Sequence, residues 1–129
     1  MRDRGKNMID NEKRKKELLS VENFCRDWLN IPFETEIDVE IHDLKSEGVM
    51  GWTHGEDGEF TIELEETLTN EDALVTFCHE MVHVMQHCKG KEISEDEAYS
   101  LENVLAEAFN ATLGPRYNSP VPCFGLAGL

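Results

Sequence analysis

The sequence predicts an α+β domain with an N-terminal helix, a small three-stranded and mostly antiparallel sheet, and two C-terminal helices. Apolar residues recur at helical spacing in the first and last parts of the chain, and between these parts they alternate with polar residues. At 129 residues the chain can bury one modest core. We therefore assign residues 1–129 to a single domain, with residues 1–9 expected to be flexible and residues 115–129 to form an irregular tail.

The first helix is predicted over residues 10–29, where an apolar residue recurs every three or four positions from Leu18 to Trp28. It should end before Pro32, because proline cannot donate a backbone hydrogen bond to a helix. We expect the two tryptophans, Trp28 and Trp52, to lie in the core.

Three strands should follow this helix. Residues 36–42, EIDVEIH, alternate between apolar and polar side chains, as a half-buried strand does. Residues 48–66 form two further strands around the turn sequence HGEDG. In the second of these, Phe60, Ile62 and Leu64 should face the core.

Two helices complete the predicted fold. Thr69 is a suitable N-cap for the first, and Gly90 should end it. Ser94 is the N-cap of the second, with Glu97 three residues later as in a capping box, and residues 114–115, Gly-Pro, end that helix.

The charge distribution argues against nucleic acid as a partner. The net charge is −15, and seven of the twelve Lys and Arg lie in residues 1–16, so the remaining chain is more acidic still. Such a body repels phosphate backbones. No apolar run is long enough to span a membrane, and the charged N-terminus does not resemble a signal peptide, so we expect a cytoplasmic protein without a membrane partner.

The four cysteines are Cys25, Cys78, Cys88 and Cys123, and they form no C-x-x-C pair. The first three occupy apolar helical positions, where free cysteine behaves as a small hydrophobic residue. We therefore expect reduced thiols.

The segment TFCHEMVHVMQH, residues 76–87, contains the candidate metal-binding and catalytic residues. His79 and His83 are four residues apart, so both imidazoles can reach one point on the same side of a helix. Glu80 leans toward the same opening. This H-E-x-x-H pattern is typical of zinc enzymes, in which two histidines hold the ion and the glutamate stands beside the metal-bound water. Histidines on a helix surface are also common without any metal.

Catalytic zinc usually has three protein ligands. His87 cannot be the third, because it lies about 12 Å along the helix from His79. Glu97 lies near the apolar face of the last helix, where a carboxylate needs a partner, so we predict it as the third ligand. Alternatively, Glu97 is only the capping-box partner of Ser94. Four other acids of this helix fall outside the apolar arc: Glu95, Asp96, Glu102 and Glu107.

HEMVHVMQ followed closely by EDEAY resembles the small zincin-type metallopeptidases of the gluzincin-like branch, short phage and bacterial proteins grouped with the SprT-like and IrrE-like peptidases. The resemblance covers residues 35–113. It implies a minimal zincin-like domain and zinc-dependent peptide hydrolysis, with His79 and His83 as ligands, Glu80 as general base and Glu97 as the third-ligand acid. The chain lacks the downstream histidine of the SprT pattern.

The expected function is therefore that of a zinc metallopeptidase whose zinc-bound water is activated by Glu80, acting on a protein or peptide substrate. Zincins commonly bind an extended substrate along an edge strand, and residues 59–66, EFTIELEE, are the predicted strand. Its Glu63 and Glu65 would favour basic or neutral peptides if they lie near the cleft, and are otherwise solvated. Asp72 either orients a ligand histidine or caps the helix. Candidate oxyanion stabilisers are His54, Tyr99 and Tyr117.

The sequence leaves several alternatives open. The protein could be a non-catalytic, zinc-stabilised acidic protein that binds a protein partner or mimics nucleic acid. The same ligands could hold another divalent ion, or none. Cys123 in the tail either occupies the open metal position as an inhibitor or packs on the surface. The oligomeric state is not predicted.

Overall fold

A computed structural model describes the backbone of residues 2–113 and the side chains of residues 11–113. The predicted α+β class is confirmed. The elements in chain order are α1 (Arg2–Leu29), β1 (Glu36–His42), a 3-10 turn (Lys45–Glu47), β2 (Gly51–Glu56), β3 (Glu59–Glu65), α2 (Asn70–Cys88) and α3 (Glu95–Leu113). No described helix is both long and apolar enough to cross a membrane. The predicted irregular tail, with Cys123 and Tyr117, lies outside the described residues.

The sheet is mixed, so the prediction of a mostly antiparallel sheet is wrong. Its strand order is β1-β3-β2, with β3 antiparallel to β2 and parallel to β1. After β1 the chain passes through the 3-10 turn and enters β2 on the far side of the sheet, and the β2–β3 hairpin then inserts β3 in the middle. The physical reason lies in burial. Phe60, Ile62 and Leu64 of β3 are all buried, and a strand with this apolar content gains most from the central position.

The central position of β3 overturns a second expectation. Residues 59–66 were predicted to form the edge strand that receives substrate, but β3 is hydrogen-bonded to neighbours on both sides. Its backbone groups are therefore already paired. The edge strands of the sheet are β1 and β2.

The core lies between the sheet and α2, with α1 and α3 flanking α2. Phe77, Met81 and Val84 of α2 are completely buried, and burying each such side chain contributes roughly 1.5–3 kcal/mol. The two tryptophans are exposed, contrary to prediction, with 46% of Trp28 and 45% of Trp52 accessible. Other buried apolar residues come from the three helices and from β1 and β3: Leu18, Val21, Leu29, Val39, Ile62, Leu64, Val82, Ala98 and Leu105.

The three described cysteines are free, as predicted. Cys25 of α1 and Cys78 of α2 are buried, and their Sγ atoms are 3.9 Å apart across the helix interface. The hydrogen bond to Cys78, together with burial, raises the pKa of Cys25 far above its ordinary value. Such a thiol stays protonated and packs as a small apolar side chain.

Glu65, at the end of β3, is buried rather than solvated. Its Oε1 accepts hydrogen bonds from the backbone N–H groups of Leu44 (2.8 Å) and Lys45 (2.5 Å). Its Oε2 accepts from the N–H and the hydroxyl of Thr67 (2.9 and 2.6 Å). Burial acts to raise the pKa of Glu65, but these four hydrogen bonds outweigh it and lower the pKa to about 2. This carboxylate ties the start of the loop between β1 and β2 to Thr67, which follows β3.

We expect Glu65 to make the protein acid-sensitive. Because folding lowers its pKa from 4.5 to about 2, the ionised group contributes roughly 3 kcal/mol at neutral pH. This contribution is fully present above the unfolded-state pKa and is lost as the pH falls from about 4.5 to 2. Urea unfolding of the wild type and Glu65→Gln from pH 7 to pH 2 measures it. The two stability curves should converge at low pH, whereas parallel curves would contradict the assignment.

Candidate metal centre

The two motif histidines converge on one carboxylate. His79 and His83 lie one turn apart on α2 and are both buried. His79 Nε2 is 2.9 Å from Oε1 of Glu95, and His83 Nε2 is 3.3 Å from Oε2 of the same residue. One ligand atom from each of the three residues lies within 4.8 Å of the others, so these side chains could hold one metal ion. Two imidazoles and a carboxylate form a donor set that zinc accepts.

The structure does not bring the predicted third ligand, Glu97, to the histidines. Its carboxylate instead accepts hydrogen bonds from Gln86 Nε2 and Lys91 Nζ, both at 2.8 Å, and these contacts lower its pKa. Ser94 caps α3 as predicted, accepting from the Glu97 N–H at 3.1 Å. The Ser94 N–H, however, donates to Gln86 Oε1, so Glu97 does not complete the capping box either.

The other ring nitrogen of each histidine also has a partner. His79 Nδ1 is 2.9 Å from Glu102 Oε1, and His83 Nδ1 is 2.9 Å from Gln86 Oε1. The Gln86 amide nitrogen donates to Glu97, which leaves its oxygen as the acceptor. An acceptor at each Nδ1 favours the tautomer with hydrogen on that atom. Each Nε2 then presents its lone pair toward the Glu95 oxygens, and an ion placed between them could be bound by all three side chains, so the site fits a metal.

These partners give Glu97 a different role from the predicted one. It holds the amide of Gln86, and Gln86 in turn orients His83. Asp72 orients neither histidine; its backbone N–H donates to the Thr69 side chain at the N-terminus of α2. The carboxylate that contacts the Nδ1 atom of His79 is that of Glu102.

Glu80 lies beside this cluster and is buried. Thr53 Oγ1 of β2 donates a hydrogen bond to Glu80 Oε1 at 2.6 Å. Gly51 leaves room for the carboxylate, since a Cβ atom there would come within 2.9 Å of Glu80 Oε2 and 2.7 Å of Thr76 Cγ2. Burial raises the pKa of Glu80, although the Thr53 hydrogen bond opposes the effect. A carboxylate with a raised pKa is well suited to exchange protons near neutral pH.

The cluster opens into a cleft of about 730 Å³ between β2 and α3. Glu80 and the three candidate ligands line its floor. Three large, exposed side chains belong to its walls, Met50, Ile93 and Tyr99, and Trp52 of β2 also borders the cleft. The edge strand β2 therefore runs along one wall, with its outer backbone groups outside the sheet pairing.

Of the predicted oxyanion stabilisers that the structure describes, one lies at the cleft and one does not. Tyr99 lines the cleft, and its ring packs edge-on against His79 with centroids 4.7 Å apart. His54 lies outside the cleft lining and contacts Glu63. His87 packs against Phe60 and is not part of the ligand cluster, in agreement with the distance argument.

Sequence reasoning missed Glu95 and Glu102, although a signal for them exists. Glu95, Tyr99 and Glu102 are spaced i, i+4 and i+7, and therefore form one stripe on α3. Two acids and an aromatic residue on one stripe are suited to contact a histidine pair. The roles of Gln86 and Thr53 have no comparable signal, since they depend on how α2 meets its neighbours.

The chain was compared with models of known protein families, with curated proteins and with solved structures, and it matched none of them. The resemblance to zincin-type peptidases therefore stays a prediction.

Proposed function

We propose that the protein is a zinc-dependent metallopeptidase that hydrolyses peptide bonds in the cleft between β2 and α3. The observation that carries this proposal is the convergence of His79, His83 and Glu95 next to the buried carboxylate of Glu80. A purely structural zinc site has a closed shell of four protein ligands and needs no such carboxylate, whereas a catalytic site keeps one position open.

In this proposal His79, His83 and Glu95 hold the ion. Zinc, when bound, supplies a Lewis acid that polarises the scissile carbonyl and makes water more acidic. Glu80 accepts a proton from the attacking water as the new C–O bond forms, and passes it to the leaving amine as the C–N bond breaks. Thr53 holds the Glu80 carboxylate in place through its 2.6 Å hydrogen bond.

The cleft supports a preference for peptides with large apolar side chains. Met50, directly before β2, lines one side of the cleft, and Ile93 and Tyr99 line the side formed by α3 and the residues before it. The preference for basic or neutral peptides was expected only if Glu63 and Glu65 lie near the cleft, and this condition is not met. Glu65 is buried and bound to backbone groups, and neither it nor Glu63 lines the cleft.

Metal analysis combined with a peptide-cleavage assay tests the proposal. The purified protein should contain about one equivalent of zinc in this site. A chelator should abolish cleavage of a mixed peptide library, and added zinc should restore it. The variant His79→Ala should lose both zinc and cleavage. A protein that holds zinc but cleaves no peptide would instead support the non-catalytic binding protein. If the folded protein takes up no metal at this site, both functions fail, and the histidine–carboxylate contacts are only ion pairs.

Gly51→Ala should impair catalysis without removing the metal. The added methyl group collides with Thr76 and with the Glu80 carboxylate, neither of which is a metal ligand. A displacement of about 1 Å in a catalytic group can reduce the rate by roughly 100-fold. We therefore expect kcat to fall by roughly 10- to 100-fold at unchanged zinc content. Activity equal to the wild type would show that the position of Glu80 does not matter.

A further inference from the structure

We propose that the outer face of the sheet carries a second site for a transition-metal ion, formed by Glu40, His42 and Glu63. This site does not depend on the proposed peptidase function. One ligand atom from each of the three residues lies within 4.8 Å of the others. His42 Nε2 is 2.8 Å from Glu63 Oε1 and 4.0 Å from Glu40 Oε1. An ion with ligand distances of about 2.0–2.2 Å can be reached by all three with small side-chain rotations.

The alternation of side chains along the strands places this site and the first candidate metal site on opposite faces of the sheet. Neighbouring side chains on a strand point to opposite faces. Thr53 of β2 contacts Glu80 on the helix side of the sheet, so Trp52 and His54 face the other side. Trp52 pairs with Glu63 across β2 and β3, and Glu63 pairs with Glu40 across β3 and β1. The second cluster is thus on the face opposite α2.

His54 positions the central carboxylate. Its Nε2 is 2.7 Å from Glu63 Oε2, while Glu63 Oε1 contacts His42. Glu63 is therefore held from both sides, and its side chain is only 19% exposed. An ion in this site would join β1 to β3 through its ligands, and His54 would connect β2 only through its contact with Glu63.

The donor chemistry selects the class of ion. One imidazole and two carboxylates suit borderline divalent ions such as Zn²⁺, Cu²⁺ and Ni²⁺, whereas Ca²⁺ and Mg²⁺ favour oxygen ligands only. The net charge of −15 adds a general attraction for cations. The ligands are more exposed than His79 and His83, so this site should bind more weakly than the first.

Trp52 provides a local reporter, because it lines one shallow pocket together with His42, His54 and Glu63. Titrating the full chain, already loaded with zinc, with Cu²⁺ should quench tryptophan fluorescence, and calorimetry should detect one further equivalent. His42→Ala should lower the affinity for Cu²⁺ at this second site at least tenfold and remove the fluorescence quenching that Cu²⁺ binding there causes. Glu63→Gln should do the same, and His54→Ala should weaken binding less.

His87→Ala is the matched control, since it removes an exposed histidine that belongs to neither cluster. It should leave the second equivalent unchanged. A further readout is the midpoint of thermal unfolding, which Cu²⁺ or Ni²⁺ should raise in the wild type but not in His42→Ala. The proposal is overturned if only one equivalent binds, or if the second equivalent persists in both His42→Ala and Glu63→Gln. In either case His42 and His54 form only ion pairs with Glu63.

Discussion

Changing Glu80 to glutamine should leave zinc bound and reduce peptide cleavage by roughly 10²- to 10⁴-fold, the usual contribution of a general base. Glutamine has the shape of glutamate but cannot take up a proton. The space left by Gly51 and the hydrogen bond from Thr53 can accommodate its amide. The two histidines and Glu95 are unchanged, so the metal should be retained. Because kcat rather than zinc content falls, this result would separate the chemical step from metal binding.

Glu71→Gln is the matched control for this variant. Glu71 lies in the first turn of the same helix, and its exposed side chain is far in sequence from the ligand cluster. The Glu71→Gln substitution removes one negative charge from α2, as Glu80→Gln does, but the variant should keep wild-type activity. Cleavage by Glu80→Gln at the wild-type rate would show that no proton passes through this carboxylate, and the peptidase mechanism would have to be abandoned.

His79 and His83 come together in the structure for a simple physical reason. Two residues four positions apart lie on the same side of any helix, so local geometry alone brings the two rings together. The N-cap residues Thr69 and Ser94 were equally predictable, because capping involves only the following turn. In each case the interaction is complete within a few residues.

The third acid could not be identified in this way. Its identity depends on how α3 crosses α2, and the apolar face of α3 specifies that crossing only coarsely. Choosing the acid nearest the centre of that face selected Glu97, but in the structure His79 contacts Glu95 and Glu102 instead. The same limit applies to the sheet. The alternation of apolar and polar residues identified three strands. Their order in the sheet depended on which strand gains most from the central position.

Neutralising Glu95 should release zinc, whereas neutralising Glu97 should only weaken its binding. Glu95 contacts both ligand nitrogens directly, at 2.9 and 3.3 Å. Glu97 acts on His83 only through Gln86, and outer contacts of this kind typically contribute 10- to 100-fold in metal affinity. We therefore expect Glu95→Gln to be metal-free at zinc concentrations that still load Glu97→Gln. Zinc affinity measured by competition with a chromogenic chelator distinguishes the two variants.

Asp96→Asn completes the comparison. All three acids lie in the first turn of α3, so each substitution removes one negative charge from the same helix N-terminus. The loss of a favourable interaction with the helix dipole, about 0.3–1 kcal/mol in stability, is therefore the same in all three variants. Asp96→Asn should bind zinc like the wild type, because Asp96 is exposed and does not belong to the ligand cluster. If Glu97→Gln loses zinc while Glu95→Gln retains it, the acid chosen from the apolar face is the true ligand. The contacts of Glu95 with the histidines would then be ion pairs of the metal-free protein.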